Sequence, residues 1–196
     1  MSGKAPGVGE ALERTQAVLK GHFKLSSGLH SDTYVQKLRL FQHPPVLESL
    51  AKEMAAQWRG EKPDVVAAPA VGAILLGYEL ARALGVRSVF LERKDGRFAT
   101  RVGMEVAAGE KVLCAEDVVT TGGSVEEMAE VLQGLGAEVL GIAAVIDRSS
   151  GPLPFQVPFR ALLRLNPAQF PPEACPLCRK GVPLDVPGTK QKAGTP

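Results

Sequence analysis

The sequence predicts an α/β fold, a central parallel sheet flanked by helices. Three observations predict it. Short apolar runs at 64–69, 112–115 and 138–146 alternate with helix-length segments. The run at 138–146 is apolar nearly throughout, as expected of a parallel strand covered on both faces. Gly60, Gly85 and the pair Gly134 and Gly136 punctuate the ends of the intervening helices. At 196 residues the chain is expected to form a single domain, 1–196, with an appendage and a sizeable core.

Composition narrows the class. A hydrophobic fraction of 45% and a charged fraction of 22% are those of an ordinary globule. A net charge of +2 is too small to argue for nucleic acid or a membrane surface. No apolar run is long enough to span a bilayer, and Met1–Pro6 lacks the apolar core of a signal peptide. Three cysteines, an odd number, argue against a disulfide framework and for a reducing cytoplasm.

The elements follow in order. Residues 1–8 read as a loose end. Residues 9–20 place Leu12, Val18 and Leu19 among charged neighbours, which predicts a short amphipathic helix stopped by Gly21. Residues 22–37 hold two alternating runs around Ser26-Ser27-Gly28, the pattern of a hairpin. Residues 44–58 predict a helix. Proline suits its first turn, and Val46, Leu47, Leu50, Ala51, Met54 and Trp58 form one stripe. A strand at 64–69 turns through 70–74 into a helix ending near Leu84. Residues 88–91 are a short strand, and 92–101 pack in four cations. A turn at 109–111 leads into the strand at 112–115, where Cys114 reads as a small buried hydrophobe. A helix at 125–132 and a strand at 138–146 follow, then a last strand region at 155–165. From Asn166 on, prolines recur.

The most informative stretch is 112–124, V-L-C-A-E-D-V-V-T-T-G-G-S. Its strand delivers the loop to a sheet's carboxyl end, where open α/β sheets bind ligands. Gly122 and Gly123 let backbone N–H groups approach an anion. The following helix points its positive end at the same place, so a phosphate is favoured there. Thr120, Thr121 and Ser124 add hydroxyl donors. Glu116 and Asp117 would repel a phosphate, so they are expected to face sugar hydroxyls, with a hard cation as a further candidate. The loop reads as a ribose-phosphate cradle.

These residues resemble the phosphoribosyl diphosphate (PRPP) signature of type I phosphoribosyltransferases: an apolar run, two acids, two variable residues, then T-[TA]-G-[GT]-[ST]. A second resemblance lies upstream. Orotate phosphoribosyltransferases carry F-x-L-x-S-G-x-x-S-x-x-Y-x-x-x-[KR], onto which Phe23, Leu25, Ser27, Gly28, Ser31 and Tyr34 fall, with Lys37 close behind. Pro69 to Ile74 resembles the family's diphosphate loop, P-x-x-G-[GA]-[IV], in which Gly72 would admit a backbone N–H and a peptide near Ala70 is often cis. Arg93-Lys94 resembles the R-K of a mobile active-site loop. Asp147-Arg148 resembles the D-R that ends a strand and supplies an arginine to orotate, a guanidinium fork matching a carboxylate. The chain departs from the family at three places. Ser26 stands where many members have a cation before Ser-Gly, with Lys24 or Lys37 as substitutes. Val71 stands where some have lysine. Ala99 stands near the family's loop histidine, and Arg97 near its loop lysine, with Lys94 and Arg101 as alternatives for that role.

The resemblance implies a type I phosphoribosyltransferase fold, with a small hood at about 1–40 and the tail at 167–196 as a further contributor, over a core at about 41–166. It implies transfer of phosphoribose from PRPP to orotate, giving orotidine 5′-phosphate and diphosphate in pyrimidine biosynthesis. Asp117, Glu116 and Arg97 would be catalytic. Glu116, Asp117, Val118, Val119, Thr120, Thr121, Gly122, Gly123, Ser124, Arg93, Lys94 and Gly72 would hold PRPP. Thr120 and Arg148 would hold orotate. Mg2+ would accompany the diphosphate, and a homodimer would let the mobile loop reach the partner's site. A salvage enzyme for a purine or uracil and a non-enzymatic PRPP sensor are the rival readings. No helix-turn-helix or basic stripe supports the sensor. No protein metal site is assigned. Cys175-Pro176-Leu177-Cys178 is half a zinc motif without a second C-x-x-C, and all three histidines lie far upstream. The alternatives there are a zinc completed by a second copy and a tail strapped onto the hood or a partner.

Overall fold

The computed structural model describes residues 7–25 and 27–187. Ser26 and the first six residues of the expected loose end lie outside them. Two sheets organise the chain. The smaller begins after a short helix, α1 (Val8–Arg14), with β1 (Val18–Lys24) and β2 (His30–Val35). These pair antiparallel, with Val18 opposite Val35 and Lys24 opposite His30. The turn between them includes Gly28, at φ 86°. A one-turn helix α2 (Leu38–Phe41) then leads to α3 (Pro44–Trp58).

The larger sheet contains β3 (Val65–Pro69), β4 (Arg87–Lys94), β5 (Arg97–Thr100), β6 (Lys111–Val119), β7 (Glu138–Asp147) and β8 (Phe159–Arg164), with α4 (Ile74–Leu84) and α5 (Gly123–Gly134) in the connections. Its order is β5-β4-β3-β6-β7-β8. All neighbours are parallel except β5, which pairs antiparallel with β4. The tail adds β9 (Gln169–Phe170), which extends the smaller sheet by pairing with β2, and a one-turn helix α6 (Pro176–Arg179).

Period-two alternation on the buried strands divides the core into two layers. Val66, Ala68, Leu113 and Ala115 pack with α3 and α4, where Leu50, Met54, Trp58, Leu76 and Leu80 are buried. Val65, Ala67, Val112 and Cys114 face the other way, against Val125, Met128 and Leu132 of α5. A fully buried leucine or methionine contributes roughly 1.5–3 kcal/mol each, so these two layers dominate stability. Close approaches depend on missing side chains. A Cβ on Gly77 would lie 2.6 Å from the Ala68 Cβ, so α4 sits down tightly on β3.

Four boundaries differ from the sequence reading. The expected helix at 9–20 ends at Arg14; Gln16 turns the chain at φ 50°, and Val18 to Lys24, including Gly21, is claimed by pairing with β2. The strand at 112–115 runs on to Val119, so Glu116 and Asp117 sit within β6 and not in the loop after it. The cation-rich segment at 92–101 forms most of the β4–β5 hairpin, whose Asp95-Gly96 turn has φ of 52° and 84°. Two successive positive φ values suit the right-handed twist of a tight hairpin. The last strand begins at Phe159, and Phe155 and Val157 pack beside the α5 layer as irregular chain.

Candidate active site

The carboxyl end of β6 places the paired acids. Glu116 and Asp117 are both buried, and the Asp117 amide donates to Glu116 Oε1 at 2.9 Å. Lys37, just after β2, reaches across to Asp117 Oδ2 at 2.5 Å. Burial, and then the neighbouring Asp117 carboxylate, push the Glu116 carboxyl up to about 8, against the lowering effect of Lys37. Beyond the acids, Val118 to Val125 wrap a cavity of about 240 Å³ that Lys37, Glu116 and Asp117 also line. Gly122 caps α5 in the left-handed region at φ 81°, and no side chain caps the helix. The first-turn amides therefore face the cavity without a side-chain competitor, which suits an anion. Thr120, Thr121, Gly123 and Ser124 complete this wall.

A second opening lies behind Lys37. Ala70, Gly72, Arg93, Glu116 and Ser124 line a cleft of about 180 Å³. A Cβ on Gly72 would lie 2.8 Å from Asp117 Oδ2 and 3.0 Å from Lys37 Nζ, so this cleft exists because residue 72 lacks one. The Ala70–Val71 peptide is cis, at the position the resemblance indicated.

A third cavity, about 550 Å³, joins the two sheets. Tyr34, Val35, Lys24, Leu25 and Ser27 contribute from the smaller sheet, and Val118, Thr120, Thr121 and Arg148 from the larger. Gln169 and Pro187 close it from the tail. Arg148 follows β7 directly, and its amide donates to Val119 O at 2.7 Å, which ties it to the end of β6. Its side chain is buried, yet Nε and Nη2 have no hydrogen-bond partner among the described residues. Burial lowers its pKa, with Tyr34 acting in the opposite direction. An arginine stays charged under such a shift, so an unpaired buried guanidinium calls for an anion.

A family model, "Phosphoribosyl transferase domain", matches residues 38–170. Orotate phosphoribosyltransferase from Caldanaerobacter subterraneus subsp. tengcongensis is 47% identical over 182 residues, 93% of this chain and 96% of its own length. The chain belongs to the type I phosphoribosyltransferases, among the orotate phosphoribosyltransferases. The Chlorobium phaeobacteroides orotate phosphoribosyltransferase is also 47% identical, over 90% of this chain and 91% of its own. The crystal structure of orotate phosphoribosyltransferase from Aeropyrum pernix superposes with a TM-score of 0.69 at 24% identity, covering 81% of this chain and 93% of that one.

Within this orotate phosphoribosyltransferase fold, the expected loop cations separate. Arg93 lines the Gly72 cleft. It is held by Glu127 of α5 at 2.8 Å and by the Gly96 carbonyl at 2.7 Å, and it lies 4.2 Å from the Phe98 ring centroid. Lys94 and Arg97 pair across the hairpin end and are exposed, and neither lines the three cavities. Arg101 instead pairs with Glu92 at 3.0 Å. The structure thus does not bring Arg97 to the cradle of its own chain. The Asp-Gly turn was the signal that 92–101 would pair as strands.

Lys37, read from the sequence as the lysine close behind the Phe23–Tyr34 motif and as a substitute for the cation missing at Ser26, adjoins all three cavities. Gln169 and Pro187 had no local signal, since they reach the site only through tail pairing. One juxtaposition outside these cavities was not read from the sequence. His22, His30, Cys175 and Cys178 converge on the smaller sheet, because the hairpin brings the two histidines together and the tail folds back onto them.

Proposed function

We propose that this chain transfers the phosphoribosyl group of PRPP to orotate, forming orotidine 5′-phosphate and diphosphate in de novo pyrimidine biosynthesis. Arg148 carries the reading. It is a buried guanidinium with two nitrogens unpaired among the described residues, facing a cavity that adjoins a phosphate cradle. Orotate's carboxylate supplies the complement that a purine or uracil lacks, and the fork geometry favours a two-point contact.

The residues divide the work. Amides and hydroxyls of Thr120 to Ser124 seat the 5′-phosphate. Glu116 and Asp117 accept hydrogen bonds from the ribose hydroxyls and stabilise positive charge developing at the anomeric carbon. Lys37 and Arg93 border the cleft at Gly72 and neutralise diphosphate oxygens. Arg148 and Thr120 orient orotate so that its ring nitrogen meets the anomeric carbon. Nucleophile and leaving group are both already anionic, so positioning and electrostatic stabilisation supply most of the rate.

Magnesium belongs to the reading as well. The donor chemistry fits, since two carboxylates adjoin a cleft that only a glycine keeps open, and Mg2+ is ordinarily held by one or two carboxylates together with substrate phosphates. Bound with PRPP, the ion would offset the charge on the departing diphosphate.

A cytoplasmic homodimer completes the proposal. Cys114, Cys175 and Cys178 are unbridged, and no helix among the described residues is long and apolar enough to cross a membrane. Val71, Leu75 and Tyr78 leave an exposed apolar strip beside the diphosphate loop, a surface suited to a second copy. Lys94 and Arg97, remote from their own cradle, would then serve the partner's site. Incubation with magnesium, PRPP and orotate should lower orotate's absorbance. Turnover of adenine or uracil with none of orotate would overturn the assignment.

A further inference from the structure

Four side chains outside the candidate active site meet on the smaller sheet: His22 of β1, His30 of β2, Cys175 at the start of α6 and Cys178 within it. One nitrogen or sulfur atom of each lies within 4.8 Å of all the others. We propose that these four residues bind a structural zinc ion, which clamps the tail onto the hood sheet and fixes one wall of the base cavity.

The donor geometry supports a single tetrahedral ion. His22 Nε2 lies 2.9 Å from His30 Nδ1, 3.5 Å from Cys175 Sγ and 3.7 Å from Cys178 Sγ. Cys178 Sγ lies 3.3 Å from His30 Nδ1. Zinc bonds of about 2.0 Å to nitrogen and about 2.3 Å to sulfur give ligand–ligand edges of roughly 3.3–3.8 Å in a tetrahedron, which the three sulfur–nitrogen contacts match, while the two ring nitrogens stand closer than such an edge. A two-iron cluster with this donor set would put its histidines and cysteines on different irons, farther apart than these contacts allow. Two sulfurs with two imidazoles in one tetrahedron select zinc over harder cations.

Three neighbours converge on one ring nitrogen of the cluster. His22 Nδ1 donates to the Val182 carbonyl at 2.8 Å, which leaves Nε2 with one lone pair and no proton. His30 Nδ1 and both sulfurs approach that lone pair together, and Cys178 Sγ lies against His30 Nδ1 as well. A cation at their centre satisfies all four groups, and the Val182 contact is the outer-shell bond that orients a zinc-bound imidazole.

The tail needs such a clasp. Of residues 171–187, Cys175 alone is buried, so apolar packing does little to hold this segment. The clasp sits where the tail meets β1. The Lys24 amide donates to Asp185 O, and the Asp185 amide to His22 O, both at 2.8 Å. Pro187, two residues on, lines the base cavity with Lys24 and Leu25. Four protein ligands leave no open position, so the ion is structural and not catalytic.

Metal content is read without turnover, so failure here and failure of the proposed reaction are distinguishable. The full chain, purified without chelators from zinc-supplemented medium, should carry about one zinc per chain. Replacing the metal with cobalt(II) should give thiolate-to-cobalt charge transfer and the visible bands of tetrahedral cobalt. A Cys175→Ser, Cys178→Ser double variant should lose metal and raise the KM for orotate about fivefold or more, with the KM for PRPP little changed. Less than about a tenth of an equivalent retained after incubation with excess zinc and dialysis would overturn the site. So would a cobalt spectrum without thiolate bands, which needs no variant, or full retention of zinc by the double variant.

Discussion

Arg148 and Glu116 are the residues whose environments ask most for a ligand. Arg148 has surrendered water without gaining partners on Nε and Nη2 among the described residues. A charge-assisted pair there is worth about 1.5–3 kcal/mol. Arg148→Ala should therefore raise the KM for orotate roughly 10- to 100-fold and shift the KM for PRPP by less than about threefold, in steady-state assays varying each substrate. Equal losses on both substrates would move Arg148 out of the base site. Arg148→Lys should rescue little, because an ammonium lacks the planar fork. Glu116 makes a prediction in pH. Burial and Asp117 hold its carboxyl up to about 8 in the free chain, so it is protonated at neutral pH. Ribose hydroxyls donate to the ionised form and favour it. Below pH 8 PRPP binding should release a proton from Glu116, and affinity should tighten as pH rises, by at most about tenfold per pH unit. Calorimetry in buffers of different ionisation enthalpy measures that proton, and Glu116→Gln should abolish it. Release unchanged in the variant would place the titrating group elsewhere.

Elements differ in how their glycines serve them, and two alanine substitutions separate site from scaffold. Gly122 caps α5 at φ 81°, and a Cβ there would lie 2.9 Å from both Phe155 Cε1 and Pro154 Cδ. Gly122→Ala should cost about 1–3 kcal/mol and displace the phosphate-facing amides, so PRPP binding falls along with stability. Gly141 lies in β7 beneath Trp58, and its Cβ would meet the Trp58 ring and lie 2.6 Å from Pro158 O. Gly141→Ala should lower the melting temperature by a similar or larger amount, while the folded fraction keeps its KM for PRPP. Thermal melts beside PRPP titrations check both, and an unchanged PRPP affinity in Gly122→Ala would remove the amides from phosphate binding. The same contrast explains what was legible in the sequence. Strands β3, β6 and β7 announce themselves because burial on both faces leaves continuous apolar runs, and the cradle because its residues are contiguous. Strand β9 does not, and β1 does so only from His22 on, where the alternating run reads as the first arm of the hairpin with β2. Gly21 breaks the pattern of the first half of β1, and β9 is two residues long and exists because of a partner far away in the chain, β2. The four-residue cluster was hidden for the same reason, since His22 and Cys175 stand 153 positions apart.

At the scale of the molecule, the candidate site is divided between the two sheets. The cradle belongs almost wholly to the six-stranded sheet, whereas the base cavity takes Tyr34 and Leu25 from the hood, Gln169 from β9 and Arg148 from the other side. A ligand confined to the cradle should leave the hood's local opening unchanged, while one that also fills the base cavity links the sheets and must stabilise both. Ribose 5-phosphate and orotidine 5′-phosphate differ by the base alone, so they test this directly. At 100 times its Kd each should add about 2.7 kcal/mol, a rise of roughly 5–10 °C in a chain of this size. Hydrogen exchange separates them. Ribose 5-phosphate should protect amides at 116–126 and spare β1 and β2. Orotidine 5′-phosphate should extend protection to β2, to Gln169 and to the tail at 182–187. Protection that stops at the larger sheet with both ligands would detach the hood from base recognition and leave Arg148 to hold the base alone.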